Sequence, residues 1–115
     1  MFVGVARIVV QIPGARSLKD RRAVVRSFKD RVRARLHLSV AEIGDVERWQ
    51  IATFGVAAVS SDRGKCEEMV GSAIAVARSL GDAIVADVRT ETLSFGRSGD
   101  GLKNGIESLI DDESF

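Results

Sequence analysis

The chain is poor in the residues that staple, kink or ligate. Its 115 residues include one Cys, one Pro, one His and no Tyr. A lone cysteine excludes a disulfide scaffold and fits a reducing compartment. One Cys and one His cannot assemble a His/Cys zinc cluster, so neither metal nor cofactor is expected. Long hydrophobic runs are also missing: no stretch approaches the roughly 18–20 apolar residues that span a bilayer. The opening Met1-Phe2-Val3-Gly4-Val5-Ala6 has no basic n-region, and Arg7 breaks its apolar run. No signal peptide is therefore expected, and the reading is a soluble cytoplasmic protein with no membrane partner.

What is present is core material: 45% of the residues are hydrophobic and 29% charged, enough for one small domain and too apolar for a disordered chain. Phe2 to Ile12 is rich in Val and Ile and ends at the turn dipeptide Pro13-Gly14, which predicts a first strand. Arg7 and Gln11 share a parity, so the opposite set (Phe2, Ala6, Ile8, Val10, Ile12) is expected to face the core. Ser17 is placed to cap a helix over Leu18 to Leu36. Leu18, Val25, Phe28, Val32 and Leu36 supply its apolar stripe, with Val24 at the edge.

Leu38 to Ile43 and Trp49 to Val59 read as two strands of a hairpin, with the loop near Gly44 to Arg48. Ser61 or Asp62 caps a second helix, with Glu67 and Glu68 in its early turns and a stripe of Cys66, Met69, Val70, Ala73, Ala77 and Leu80. Gly81 suits its C′ position. Ala83 to Leu93 reads as the last strand, with Asp87, Arg89 and Glu91 on one parity. The order β-α-β-β-α-β predicts an α+β, ferredoxin-like sandwich: a four-stranded antiparallel sheet, two helices on one face, the other face open.

Residues 1–95 are taken as this domain and 96–115 as a flexible acidic tail, whose Leu102, Ile106, Leu109 and Ile110 form one short amphipathic pattern. A helix of that length is marginal unless docked.

The formal net charge of +1 hides a segregation. Between Arg16 and Leu36 nine basic residues face only Asp20 and Asp30, a local charge of +7 that leaves −6 for the rest. Lys19, Arg22, Arg26, Lys29 and Arg33 recur at steps of 3, 4, 3 and 4. They form a continuous helical stripe about 21 Å long beside the apolar face. Arg16 precedes it. No carboxylate lies within the stripe, although Asp30 borders it. A purely solubilising face usually mixes signs to avoid like-charge repulsion, so Arg16, Lys19, Arg22, Arg26, Lys29 and Arg33 are the candidate polyanion-binding residues, with RNA as the expected polyanion.

Other chemistries find less support. The loop Pro13-Gly14-Ala15-Arg16-Ser17 precedes a helix N-terminus, where backbone N–H groups attract anions, as in small acylphosphatases of this strand order. Those enzymes orient water with an Asn, and the only Asn here is Asn104 in the tail. A tight turn followed by an N-cap is the plainer reading. His37 sits at a helix C-terminus, where a cation is favoured on structural grounds. Cys66 lies on an apolar stripe and reads as core. No nucleophile, base and orienter can be assembled, so no catalytic residues are assigned. Thr53-Phe54-Gly55-Val56 faintly echoes RNA-recognition domains, but the strand lacks their paired aromatics. Val9, Trp49 and Ile51 instead make the open sheet face apolar, the mark of a homo-oligomer interface and an expected dimer.

The run Ile12-Pro13-Gly14-Ala15-Arg16-Ser17-Leu18-Lys19-Asp20-Arg21-Arg22, with Ser39-Val40-Ala41-Glu42, Trp49-Gln50, Gly55-Val56-Ala57 and Ser60-Ser61-Asp62-Arg63, closely resembles the bacterial YlxP-like family of small domains of unknown function. The resemblance covers roughly residues 2–93 and stops before the tail. It implies a ferredoxin-like domain, and, since members are often encoded among transcription, translation-initiation and ribosome-maturation factors, an RNA-related setting. It implies no catalytic residues. The expectation is a non-enzymatic accessory protein that meets RNA or a ribosomal particle through its basic first helix. The alternative is a homo-oligomeric scaffold with no nucleic-acid role.

Overall fold

A computed structural model describes residues 1–44 and 48–96. Six elements follow in the order β1 (Phe2–Gln11), α1 (Leu18–Arg35), β2 (Ser39–Ile43), β3 (Ile51–Ser60), α2 (Arg63–Arg78) and β4 (Ile84–Ser94). The strands form one antiparallel sheet in the order β2-β3-β1-β4. This is the ferredoxin-like α+β arrangement that the order of apolar runs predicts. The tail assigned to residues 96–115 lies, beyond Gly96, outside the described residues.

Strand parity sorts the sheet into two faces. Ala6, Ile8 and Val10 are buried from the first strand and Ile12 just beyond it, and Ala52, Phe54, Val56 and Ala58 from its neighbour β3. Val24, Val25, Phe28 and Val32 cover them from α1, and Cys66, Val70, Ala73 and Ala77 from α2. The Phe28 and Phe54 rings meet at 4.3 Å between centroids, tying α1 to the sheet. The second helix packs so close to β1 that a Cβ on Gly4 would lie 2.9 Å from Cys66 Sγ and 3.0 Å from Val70 Cγ2. Only glycine fits there without movement. After β2 the chain turns at Gly44, whose φ of +93° is a conformation that L side chains rarely adopt.

Several boundaries differ from the sequence reading. Trp49 precedes β3 instead of starting it, because the ladder with β1 begins at the Gln11–Ile51 pair. Leu18 is exposed whereas Val24 is buried, since α1 is rotated so that positions 21, 24, 25, 28 and 32 face inward. No acidic residue lies in the first turn of α2, which begins at Arg63 under an Asp62 cap. Its C-cap is Ser79 in right-handed helical geometry, so Gly81 is not the terminator.

Candidate functional site

Two sets of cations matter in and just before α1. Arg16, Lys19, Arg22, Arg26 and Arg33 are exposed, and Lys29 is half-buried. None of these six makes an ion pair among the described residues. At 100° per residue the stripe lies almost opposite Arg31 on the helix. Arg31 Nη1 donates to Ser79 Oγ at 3.5 Å, beside the end of α2. The stripe therefore faces away from α2, over the side of the sandwich closed by edge strand β2. Geometry thus gathers all five stripe residues on one free surface, with Arg16 at its start.

The second set is a single residue that the charge census conceals. Arg21 is 3% exposed, the one buried charged residue among the described residues. Its guanidinium pairs with Glu42, the inward-facing carboxylate of β2, through Nη2 and Oε2. Arg21 Nε donates to the carbonyls of Arg48 and Ile51, each at 3.1 Å. One side chain thus fastens the start of α1 to both sides of the β2–β3 connection. The sequence held the signal: Arg21 stands 4, 7 and 11 residues before Val25, Phe28 and Val32, on the apolar face. Glu42 shares the parity of Val40.

The β1–α1 loop uses its own donors. Ala15 N–H donates to the Ile12 carbonyl at 3.0 Å, and Arg16 N–H to Asp20 Oδ2 at 2.9 Å. Asp20 N–H donates to Ser17 Oγ at 3.2 Å, the expected N-cap. The Asp20 carboxylate thus occupies the place an anion would take at this helix start. A cleft of about 650 Å³ lies beside the loop, between α1 and the α2–β4 turn. Its titratable lining is Asp20, Arg31 and Asp82. No group of three or more His, Cys, Asp or Glu side chains placed to hold a metal occurs among the described residues.

Cys66 is fully buried, with Sγ 3.4 Å from the Ala58 carbonyl, and His37 is exposed beyond the end of α1. No described helix is long and apolar enough to cross a membrane.

The three residues expected at an oligomer interface fall on or beside the open face. Val9 and Ile51 point outward from β1 and β3, and Trp49 is 45% exposed on the loop that leads into β3. Trp49 and Ile51 line one shallow hollow of about 490 Å³ with Gln11, Pro13, Arg48 and Gln50. Val9 lies one outward row further along, paired with Thr53.

Comparison with solved structures finds a crystal structure of a C-terminal segment of the alpha subunit of aIF2 from Pyrococcus abyssi. The likeness has a TM-score of 0.47 at 14% identity and covers 84% of this chain and 52% of that one. Among curated proteins, the chain is 36% identical over 90 residues to the uncharacterized protein YlxP of Bacillus subtilis (strain 168). That alignment spans 78% of this chain and 98% of the relative. The motif runs that suggest a YlxP-like domain contain Ser17, Asp20, Arg21 and Glu42, the residues that cap and clamp α1. With the family model matching residues 3–90, the chain belongs to the DUF503 family of proteins of unknown function.

Proposed function

We propose that this protein is a non-enzymatic accessory factor that binds RNA, free or within a ribosomal particle, through the outer face of α1. The observation that carries the reading is the unbroken stripe of Lys19, Arg22, Arg26, Lys29 and Arg33, free of ion pairs among the described residues. Arginine forks and lysine ammoniums along about 21 Å of helix suit a row of phosphates. The stripe offers no aromatic for stacking, so contact is to the backbone and carries no base preference.

The test is filter binding with structured and unstructured RNA at several salt concentrations. If about four side chains engage phosphates, log K falls against log salt with a slope of roughly −3 to −4. Arg22→Glu with Arg26→Glu weakens binding to every sequence alike and leaves the fold intact. Salt-independent binding, or unchanged affinity in the double variant, removes the reading.

A second reading, a homo-oligomeric scaffold, draws on a different observation. Val59, Ile84, Trp49 and Leu93 are 59%, 57%, 45% and 39% exposed, and apolar sheet faces of this kind invite pairing.

A further inference from the structure

Both helices lie on one side of the sheet, so no described element covers the other. That open face is not uniform. At the end where β1 begins, Val59, Val3 and Leu93 stand side by side on β3, β1 and β4. In the next row Glu91 on β4 stands beside Val5 and Ala57, and one row further Arg7 and Arg89 face one another across β1 and β4. Arg7 reaches Asp87 at 3.5 Å, whereas Arg89 makes no ion pair among the described residues. Like charges directly opposite on neighbouring strands are destabilising. Glu91 and Asp87, in the rows on either side of that pair, match its two charges, so the distinctive feature of the face is the apolar row, which suits an apolar segment.

The chain leaves the domain at this corner. Phe95 N–H donates to the Met1 carbonyl at 2.7 Å, so the chain runs out at the end of the sheet where the Val59–Val3–Leu93 row lies. The 19 residues from 97 to 115 carry Leu102, Ile106, Leu109 and Ile110 at i, i+4, i+7 and i+8. They also carry five carboxylates against two cations. Extended, they reach about 60 Å. The face from Val3 to Gln11 is only about 27 Å long. The family match ends at residue 90, before this segment.

We propose that residues 97–115 dock on the open sheet face of their own chain. Leu102, Ile106, Leu109 and Ile110 cover the apolar row. Tethering favours this occupant over a second copy, because a short linker holds the segment at an effective concentration on the order of millimolar.

Hydrogen–deuterium exchange on the full chain at two protein concentrations tests the assignment. Amides of 102–110 are expected to exchange at least about tenfold slower than an unstructured peptide, equally at both concentrations. Val59→Asp on the face, or Ile106→Asp in the segment, abolishes that protection, while Arg22→Glu with Arg26→Glu leaves it. Should Val59→Asp disturb β1 exchange, Leu93→Asp on β4 serves in its place. Unprotected amides in the native chain overturn the proposal. Protection that rises with concentration also overturns it and assigns the face to a second copy. Protection lost in the Arg22/Arg26 variant overturns it as well, and places the segment on α1.

Discussion

Arg21 and Glu42 make a buried ion pair whose worth depends on both partners staying in place. The arginine is 3% exposed and the glutamate side chain 19%, so removing either charge strands the other where water screens it poorly. Arg21→Ala is expected to cost about 3 kcal/mol in urea unfolding, since it leaves the Glu42 carboxylate without its partner and takes a donor from the Arg48 and Ile51 carbonyls. Glu42→Gln should cost less, because the amide still accepts a hydrogen bond. A loss below about 1 kcal/mol for Arg21→Ala would mean that the clamp contributes little.

At the scale of elements, α1 is held by a cap at one end and a ring contact in the middle. Phe28 is fully buried against Phe54, and Phe28→Ala is expected to cost about 3–5 kcal/mol. Ser17→Ala should cost about 1 kcal/mol through loss of the bond to Asp20 N–H. Thermal or urea unfolding checks both, and a Phe28→Ala loss under about 1 kcal/mol would detach α1 from the core.

These elements were largely legible in the residue pattern, because α1 and the strands keep an apolar period over many residues. Val10, Ile8 and Ala6 alternate with Val9, Arg7 and Val5, and the structure buries the first set. The role of Arg21 is not legible in the charge pattern: it is one of nine basic residues, and its burial depends on a carboxylate 21 positions away. The site residues were legible as a stripe, but its outward aim depends on the packing of α1 beside α2. The start of β3 was misplaced at Trp49 because its apolar side chain continues the pattern of the strand, whereas pairing with β1 begins at Ile51.

Over the whole molecule the two proposed surfaces lie on different faces, the stripe on α1 and the apolar row on the uncovered side of the sheet. Binding at one should therefore leave the other unaltered, and Ile106→Asp should keep the RNA affinity of the native chain. The mass in solution separates the two uses of the sheet. If the segment after Gly96 covers its own sheet, light scattering gives a monomer for the native chain. Ile106→Asp with Leu109→Asp then uncovers the row, and the variant self-associates. A native dimer that is indifferent to these substitutions would favour the scaffold.

The strand order also imposes a sequence in time. β1 is made first yet lies between β3 and β4, so its two ladders join residues as far apart as Phe2 and Ser60, and Phe2 and Ser94. Only the β2–β3 hairpin is local. Closing long loops before they are rewarded by contacts slows folding. Until β4 arrives, the far edge of β1 is an unpaired row of N–H and C=O groups, open to any passing strand. The last strand of the described sheet is thus the one that covers the long central strand, leaving β2 and β4 as the sheet's edges.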